Sequence, residues 1–167
     1  MIDEQLRRTA KRVLDLCRAR GLHVVTAESC TGGLVAAALT EIAGSSDVVD
    51  SGLVTYSNEA KQKLLGVPAA MLTRYGAVSR ETAAAMAKGA LKNSGADLAV
   101  AITGIAGPGG GSQRKPVGLV YFAAASRDGR RLARRRRFGK IGRTRVRLRS
   151  VVEALSLLEM LAEKTSE

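Results

Sequence analysis

The sequence contains very few aromatic residues: it has no tryptophan, and three tyrosines and two phenylalanines make up 3% of its 167 residues. It also has a single histidine, His23, and two cysteines, Cys17 and Cys30. Two cysteines are too few for a disulfide framework, and one histidine leaves no spacing typical of a zinc site. We therefore expect no bound zinc, and the sequence prediction includes no metal and no other cofactor.

Long apolar runs and an N-terminal targeting signal are also missing. No hydrophobic stretch approaches the length of a membrane-spanning helix, and acids stand at Asp3 and Glu4, where a signal peptide would carry basic residues. The sequence therefore predicts a cytoplasmic protein without a membrane partner. Its length predicts one domain over residues 1–167, large enough to bury a core of its own.

Acidic residues are scarce in one segment. The formal net charge is +12, and residues 127–149 hold twelve Lys and Arg residues but only one acid, Asp128. Few aromatics accompany these basic residues, so nucleic acid is not the favoured partner. The preferred interpretation of residues 134–137 is an edge strand whose solvated charges resist pairing with another sheet edge. A non-catalytic protein that binds nucleic acid through residues 127–149 is the alternative function.

Hydrophobic periodicity and turn residues predict alternating helices and strands. A mixed sheet covered by helices on both faces, an α/β fold, accounts for this order. The predicted helices span residues 2–20, about 31–43, 59–65 after a cap at Ser57 and Asn58, 80–93 after a cap at Ser79, and a C-terminal segment. The predicted strands span residues 22–26, 49–56, 97–103, 117–125 and 130–138, and residues 104–116 form an irregular loop.

Residues 26–33, Thr-Ala-Glu-Ser-Cys-Thr-Gly-Gly, form a polar turn between the first predicted strand and the next helix. The first N–H groups of a helix lack partners and lie at the positive end of its dipole, so a carbonyl or phosphate oxygen is stabilised there. Ser29 is the candidate nucleophile, and Cys30 ranks below it. The alternative is that Ser29 or Thr31 only caps the helix.

Lys61 is the preferred candidate for a base, because burial lowers the pKa of an ammonium group and His23 is interpreted as a surface residue. Lys61 shares a helix face with Leu64 and Leu65, so it points inward if they do. The alternative is a lysine whose stem covers apolar surface. Tyr56 ends a strand nearby, where its phenol could orient the amine, or it is only a half-buried tyrosine.

The irregular loop at residues 104–116 contains five glycines, Ser112 and Lys115. Its unobstructed backbone N–H groups predict an anion cradle, although an ordered but inert connection is the alternative. Arg143 and Arg147 lie four residues apart at the start of the last helix, so they share a face and could bind a phosphate.

Four motifs, taken together and in order, resemble the C-terminal domain of the competence/damage-inducible protein A family. They are Ala-Glu-Ser-Cys-Thr-Gly-Gly at 27–33, Tyr-Ser-Asn-Glu-Ala-Lys at 56–61, Gly-Ala-Val-Ser at 76–79, and the run from Thr103 to Gly118. The resemblance implies a three-layer α/β/α sandwich with a mixed, mainly parallel sheet of about five strands. It also implies a homodimer that deamidates nicotinamide mononucleotide to nicotinate mononucleotide and ammonia, without a metal, in pyridine nucleotide salvage.

By motif position, the resemblance implies that Ser29 is the nucleophile, Lys61 the base and Tyr56 an assisting residue. The expected substrate-binding residues are Glu28, Cys30, Thr31, Gly32, Gly33, Thr103, Gly104, Gly107, Gly109, Gly110, Ser112, Lys115, Arg143 and Arg147. Larger members carry a further N-terminal domain, whose activity is not expected of this chain. A Gly-Asp-Arg motif common in the family reads Ile-Gly-Arg at 141–143 here, so the role of that aspartate is in doubt.

Overall fold

The structure is a computed structural model that describes residues 2–163. The helices are α1 (Glu4–Ala19), α2 (Leu34–Thr40), α3 (Asn58–Leu65), α4 (Ala69–Tyr75), α5 (Arg80–Lys92) and α6 (Arg143–Glu163), with a short 3-10 helix at Ser45–Asp47. The strands are β1 (Val24–Glu28), β2 (Val49–Val54), β3 (Leu98–Gly104), β4 (Leu119–Ser126) and β5 (Arg131–Arg137).

The five strands form one sheet in the order β2-β1-β3-β4-β5. Strands β2 and β3 pair in parallel with β1, whereas β4 is antiparallel to β3 and β5 is antiparallel to β4. Strand β5 therefore runs in the same direction as β3, and four of the five strands share one direction. The predicted mixed, mainly parallel sheet is confirmed.

Helices cover both faces of this sheet. On one face α1, α2 and α6 enclose a large apolar core, and on the other α3, α4 and α5 enclose a smaller core that is rich in alanine. Strands β1 and β3 lie in the centre of the sheet, and all but the last residue of β3 are buried. Such continuous burial is typical of parallel strands covered on both sides. The predicted three-layer α/β/α sandwich is confirmed.

Local sequence signals account for most helix boundaries. The predicted caps are observed, since the Ser57 hydroxyl accepts a hydrogen bond from the backbone N–H of Ala60 and the Ser79 hydroxyl accepts one from Thr82. Within α5, a Cβ at Gly89 would lie 1.8 Å from the carbonyl oxygen of Leu65. Glycine at this position lets α3 pack directly against α5.

Several boundaries differ from the sequence prediction. Helix α4 was not predicted, because Gly66 and Pro68 indicate a stop and only a short helix follows them. Strand β1 extends to Glu28 and α2 begins only at Leu34, so the turn between them covers residues 29–33. Strand β2 ends at Val54, so Tyr56 lies two residues beyond the strand that it was predicted to end. Within residues 2–163, none of the helices combines the length and apolarity needed to cross a membrane.

Candidate active site

The carboxyl ends of β2, β1 and β3 lie at the same edge of the sheet because these strands are parallel. Ligands of open α/β sheets bind outside such ends. A cleft of about 280 Å³ opens there. Ten of the residues predicted for the site line it: Ser29, Cys30, Tyr56, Lys61, Thr103, Gly104, Gly107, Gly109, Gly110 and Arg143.

Ser29 and Lys61 meet inside this cleft. The Lys61 Nζ atom lies 3.0 Å from the Ser29 Oγ atom, within hydrogen-bond distance. The side chain of Lys61 is almost fully buried, at 1% exposure, whereas Ser29 retains 8%. Lys61 packs inward beside the buried Leu65, but Leu64 is exposed, so only half of the predicted apolar face is correct. The exposed Lys63 lies on the opposite side of α3, as predicted.

Two backbone carbonyl groups also contact the Lys61 amine. Its Nζ donates to the carbonyl oxygen of Thr55 at 2.8 Å and to that of Tyr56 at 3.4 Å. Burial lowers the pKa of Lys61 below its ordinary value of 10.5. A neutral amine has two N–H bonds and one lone pair. When both N–H bonds point at these carbonyls, the lone pair is left for the Ser29 hydroxyl.

Cys30 also lines the cleft, but its environment does not activate it. Burial raises the pKa of the Cys30 thiol to about 11. A thiol attacks as the thiolate, so a raised pKa leaves little of the reactive form at neutral pH. The geometry therefore favours Ser29, which has an amine within reach, over Cys30 as the attacking group.

The side chain of Glu28 caps the N-terminus of α2. Its buried carboxylate accepts hydrogen bonds from the backbone N–H groups of Gly33 at 3.1 Å, Val35 at 3.1 Å and Ala36 at 2.9 Å. The N-cap residue is Gly33, which has a left-handed backbone and no capping side chain. The alternative that Ser29 or Thr31 caps this helix is therefore wrong. The sequence had suggested that the first N–H groups of this helix are free to bind a substrate oxygen. They are not free, because Glu28 accepts their hydrogen bonds.

Replacing Glu28 with glutamine is expected to lower the free energy of unfolding by about 2 kcal/mol, because charge-assisted bonds become neutral and an amide NH₂ faces backbone donors. Urea unfolding followed by circular dichroism measures the change. Glu41→Gln, a substitution at an exposed acid in the residue after α2, is the matched control. Equal stability of the Glu28 and Glu41 variants would contradict a capping role for Glu28.

Arg147 lies behind the turn rather than in the cleft lining. Its Nε donates to the carbonyl oxygen of Cys30 at 3.1 Å, and its Nη2 donates to that of Thr31 at 3.0 Å. The guanidinium therefore holds the two peptide groups that follow Ser29. The hydroxyl of Thr31 is buried without a hydrogen-bond partner among residues 2–163. Gly32 and Gly33 belong to the same turn, outside the cleft lining.

Arg143 joins the glycine loop to Tyr56. Its Nη1 donates to the carbonyl oxygen of Gly107 at 2.9 Å, and its Nη2 donates to the Tyr56 hydroxyl at 2.8 Å. The Tyr56 ring is 58% exposed, and its hydroxyl bonds to Arg143 instead of to Lys61. Only the backbone carbonyl of Tyr56 contacts the lysine. Arg143 is the one arginine that lines the cleft in the described part of the chain.

Ser112 and Lys115 stabilise the loop from outside the cleft. The Ser112 hydroxyl accepts a hydrogen bond from the backbone N–H of Lys115. The Lys115 Nζ donates to the carbonyl oxygen of Tyr75 at 2.6 Å, which ties the loop to the end of α4. The predicted contact of these two side chains with a phosphate is thus not favoured by their positions.

Sequence reasoning missed four cleft residues with apolar side chains: Ala77, Val78, Ile105 and Ala106. Ala77 and Val78 lie in the Gly-Ala-Val-Ser motif at 76–79, and the carbonyl oxygen of Ala77 accepts a hydrogen bond from the Thr103 hydroxyl at 2.7 Å. The motif itself was the available signal. These residues provide an apolar wall next to the polar dyad of Ser29 and Lys61, which suits a flat ring.

The basic segment is partly neutralised by α6. Arg134 and Arg136 form ion pairs with Glu153 at 2.6 and 2.8 Å. The interpretation of residues 134–137 as simply solvated is therefore wrong for these two arginines, although β5 is an edge strand as predicted. Because three of the twelve basic residues, Arg130, Arg134 and Arg136, form ion pairs, this segment offers less free charge to nucleic acid than its composition indicates.

Known proteins are similar to this chain in sequence and in fold over nearly its whole length. The CinA C-terminal domain family model matches residues 6–162. An Escherichia coli K12 protein named nicotinamide-nucleotide amidohydrolase PncC is 49% identical over 158 residues, which cover 95% of each protein. The crystal structure of competence/damage inducible protein CihA from Agrobacterium tumefaciens superposes with a TM-score of 0.96 at 54% identity, covering 98% of this chain and 99% of that one.

Other relatives are much longer than this chain. A CinA-like protein of Synechococcus sp. strain RCC307 is 52% identical over 151 residues, which cover 90% of this chain and 36% of that protein. A CinA-like protein of Geobacter sulfurreducens is 59% identical over 117 residues, which cover 70% of this chain and 28% of that protein. The chain therefore spans about a third of the length of these relatives.

Proposed function

Since the chain belongs to the CinA C-terminal domain family, we propose that it is a nicotinamide-nucleotide amidohydrolase. The reaction converts nicotinamide mononucleotide and water to nicotinate mononucleotide and ammonia, a step of pyridine nucleotide salvage. We further propose that residues 1–167 form one catalytic domain, that it acts in the cytoplasm and that it works as a homodimer. The observation that carries the catalytic proposal is the 3.0 Å contact between Ser29 Oγ and Lys61 Nζ at the cleft.

The reaction begins with Lys61 as general base. Neutral Lys61 accepts the proton of the Ser29 hydroxyl while Oγ attacks the carboxamide carbon. The lysine ammonium then donates that proton to the leaving nitrogen, so the C–N bond breaks and ammonia departs. An acyl ester on Ser29 remains. Lys61, neutral again, deprotonates a water molecule that attacks the ester, and the carboxylate product leaves as Ser29 recovers its proton.

The negative oxygen of each tetrahedral intermediate needs hydrogen-bond donors. The N–H of Ser29 is unsuitable because it donates to the carbonyl oxygen of Ile102 at 2.9 Å. The N–H groups of Cys30 and Thr31 are the next donors along the turn, and Arg147 holds the carbonyls of the same two residues. One such donor stabilises a transition state by about 3 kcal/mol.

Arg143 and the loop glycines Gly107, Gly109 and Gly110 form the proposed phosphate site. Of the basic residues predicted to hold the phosphate, Lys115 and Arg147 bond to backbone carbonyls outside the cleft, whereas Arg143 lines it. Guanidinium groups bind phosphate with two parallel hydrogen bonds. The nicotinamide ring would then lie between this end and the Ser29–Lys61 pair, along the apolar wall that includes Val78 and Ile105.

Replacing Arg143 with alanine is expected to raise KM for nicotinamide mononucleotide by about 10- to 100-fold, the effect of losing charged hydrogen bonds. KM for nicotinamide riboside, which lacks the phosphate, is expected to change much less. Steady-state ammonia release with both substrates measures the ratio. Arg145→Ala, in the exposed first turn of α6, is the control. Equal effects on the two substrates would contradict a phosphate contact.

The proposed activity is tested by incubating the purified protein with nicotinamide mononucleotide in the presence of a chelator. We expect ammonia and nicotinate mononucleotide to form in equal amounts. No ammonia above the blank, at enzyme concentrations that give a folded circular dichroism spectrum, would overturn the proposal.

A further inference from the structure

The two edge strands of the sheet differ in how they are protected. Strand β5 carries five arginines among its seven residues, and charged edge strands resist pairing with another sheet. Strand β2, Val-Asp-Ser-Gly-Leu-Val, has no lysine, arginine or proline, and it pairs only with β1 among the described strands. One edge of the sheet is therefore blocked by charge, and the other is open to a further strand.

The open edge lies in a part of the chain without positive charge. Residues 21–60 contain no lysine or arginine, although the whole chain has 27. Like charges that meet across a contact cost several kcal/mol, so two copies of a +12 chain associate best through a region free of this repulsion. Strand β2 (Val49–Val54) lies within that region.

Exposed apolar side chains accompany the open edge. Val54 at the end of β2 is 47% exposed, and Tyr56, two residues further, is 58% exposed. Both belong to the five large hydrophobic side chains that are most exposed in the described residues. An edge that combines unprotected backbone with exposed apolar side chains is a typical site of strand addition.

We propose that β2 is the dimer interface, pairing antiparallel with β2 of a second copy about a two-fold axis. This deepens the homodimer given under the proposed function and rests on it. An axis between Ser51 and Gly52 pairs Asp50 with Leu53 of the other copy and Val49 with Val54, so no like charges lie opposite each other. The two five-stranded sheets then form one sheet of about ten strands, with Tyr56 beside the interface.

An alternative contact between copies would pair β2 of one copy with the basic strand β5 of the next copy. That arrangement has complementary charge, but it is heterologous and leaves a free edge at each end, so it grows into an open chain instead of stopping at two. The symmetric contact between two β2 strands uses both open edges, so the assembly stops at two copies. The size of the assembly therefore distinguishes the two arrangements.

The test places a lysine on the β2 edge. Val54→Lys is expected to weaken dimerisation at least about 100-fold, because each copy brings an unpaired charge into the interface. Val152→Lys is the matched control, since Val152 is 43% exposed and belongs to α6 instead of β2. Sedimentation equilibrium over a concentration series gives the masses, and circular dichroism checks the fold.

A wild-type dimer that Val54→Lys converts to monomer, with Val152→Lys still dimeric, supports the interface. A dimer that survives Val54→Lys, a loss of dimer in both variants, or wild-type polymers would each overturn it. A monomeric wild type would overturn the homodimer as well, while ammonia release tests the enzymatic proposal separately. If Val54→Lys does not fold, hydrogen exchange of the wild type decides: β2 amides that lose protection on dilution support the interface, and unchanged exchange overturns it.

Discussion

Replacing Ser29 with alanine is expected to reduce kcat for ammonia release from nicotinamide mononucleotide by about 10⁴-fold or more. Removing the nucleophile of a serine hydrolase has effects of this size, because the remaining binding and oxyanion groups cannot replace the covalent step. The neighbouring Cys30 is the weaker candidate, because burial raises the pKa of its thiol to about 11 and so disfavours the reactive thiolate. Steady-state assays at a high enzyme concentration, with the substrate still in excess, measure the residual rate.

The control for this experiment is Ser46→Ala, since Ser46 is an exposed serine of the same size away from the cleft. Thermal unfolding of both variants should match the wild type, because the Ser29 hydroxyl makes a single side-chain contact in the described structure. A Ser29→Ala protein with more than a tenth of the wild-type kcat would contradict the assignment of the nucleophile.

The second large effect is expected for Lys61→Met, which should reduce kcat by about 10³-fold or more. Methionine keeps the apolar stem in the buried position but removes the amine that faces Ser29. Lys63→Met on the same helix is the matched control, because that lysine is exposed and points away from the cleft. Equal rates of the two variants would exclude Lys61 as the base.

The pH dependence identifies the amine independently. Only neutral Lys61 can accept a proton, so kcat/KM should rise with pH through the lowered pKa and level off below 10.5, its ordinary value. Lys61→Met should lose this limb. Between the folded and unfolded pKa values of Lys61 the unfolded chain binds more protons, so the stability of the wild type rises with pH in this window. The methionine variant lacks that contribution.

The sequence was sufficient to predict the layered fold because its signals are local and consistent. The caps at Ser57 and Ser79 correspond to observed helix starts, and the long apolar strand predicted at 97–103 corresponds to β3 within one residue at each end. Lys61 was expected to point inward from its spacing to Leu65, and it does so. The argument from Leu64 failed, because helix spacing does not reveal how wide the buried face is.

Long-range polar contacts were not predictable in the same way. The carboxylate of Glu28 accepts a hydrogen bond from the backbone N–H of Ala36, eight residues further along the chain. The guanidinium of Arg147, near the other end of the chain, bonds to the turn that follows Ser29. No residue spacing indicates either contact, since each depends on how α2 and α6 pack. For this reason two residues expected near the substrate instead support the turn that carries Ser29.

The central claim is that Ser29 carries the acyl group during turnover, and rapid-quench mass spectrometry tests it most directly. The wild type is mixed with nicotinamide mononucleotide, quenched in acid within the first turnover and digested. The account predicts a nicotinate mononucleotide acyl adduct on the peptide that contains Ser29, and no adduct in the Ser29→Ala protein. Turnover with no adduct on that peptide, at a rate that Ser29→Ala shares, would contradict it.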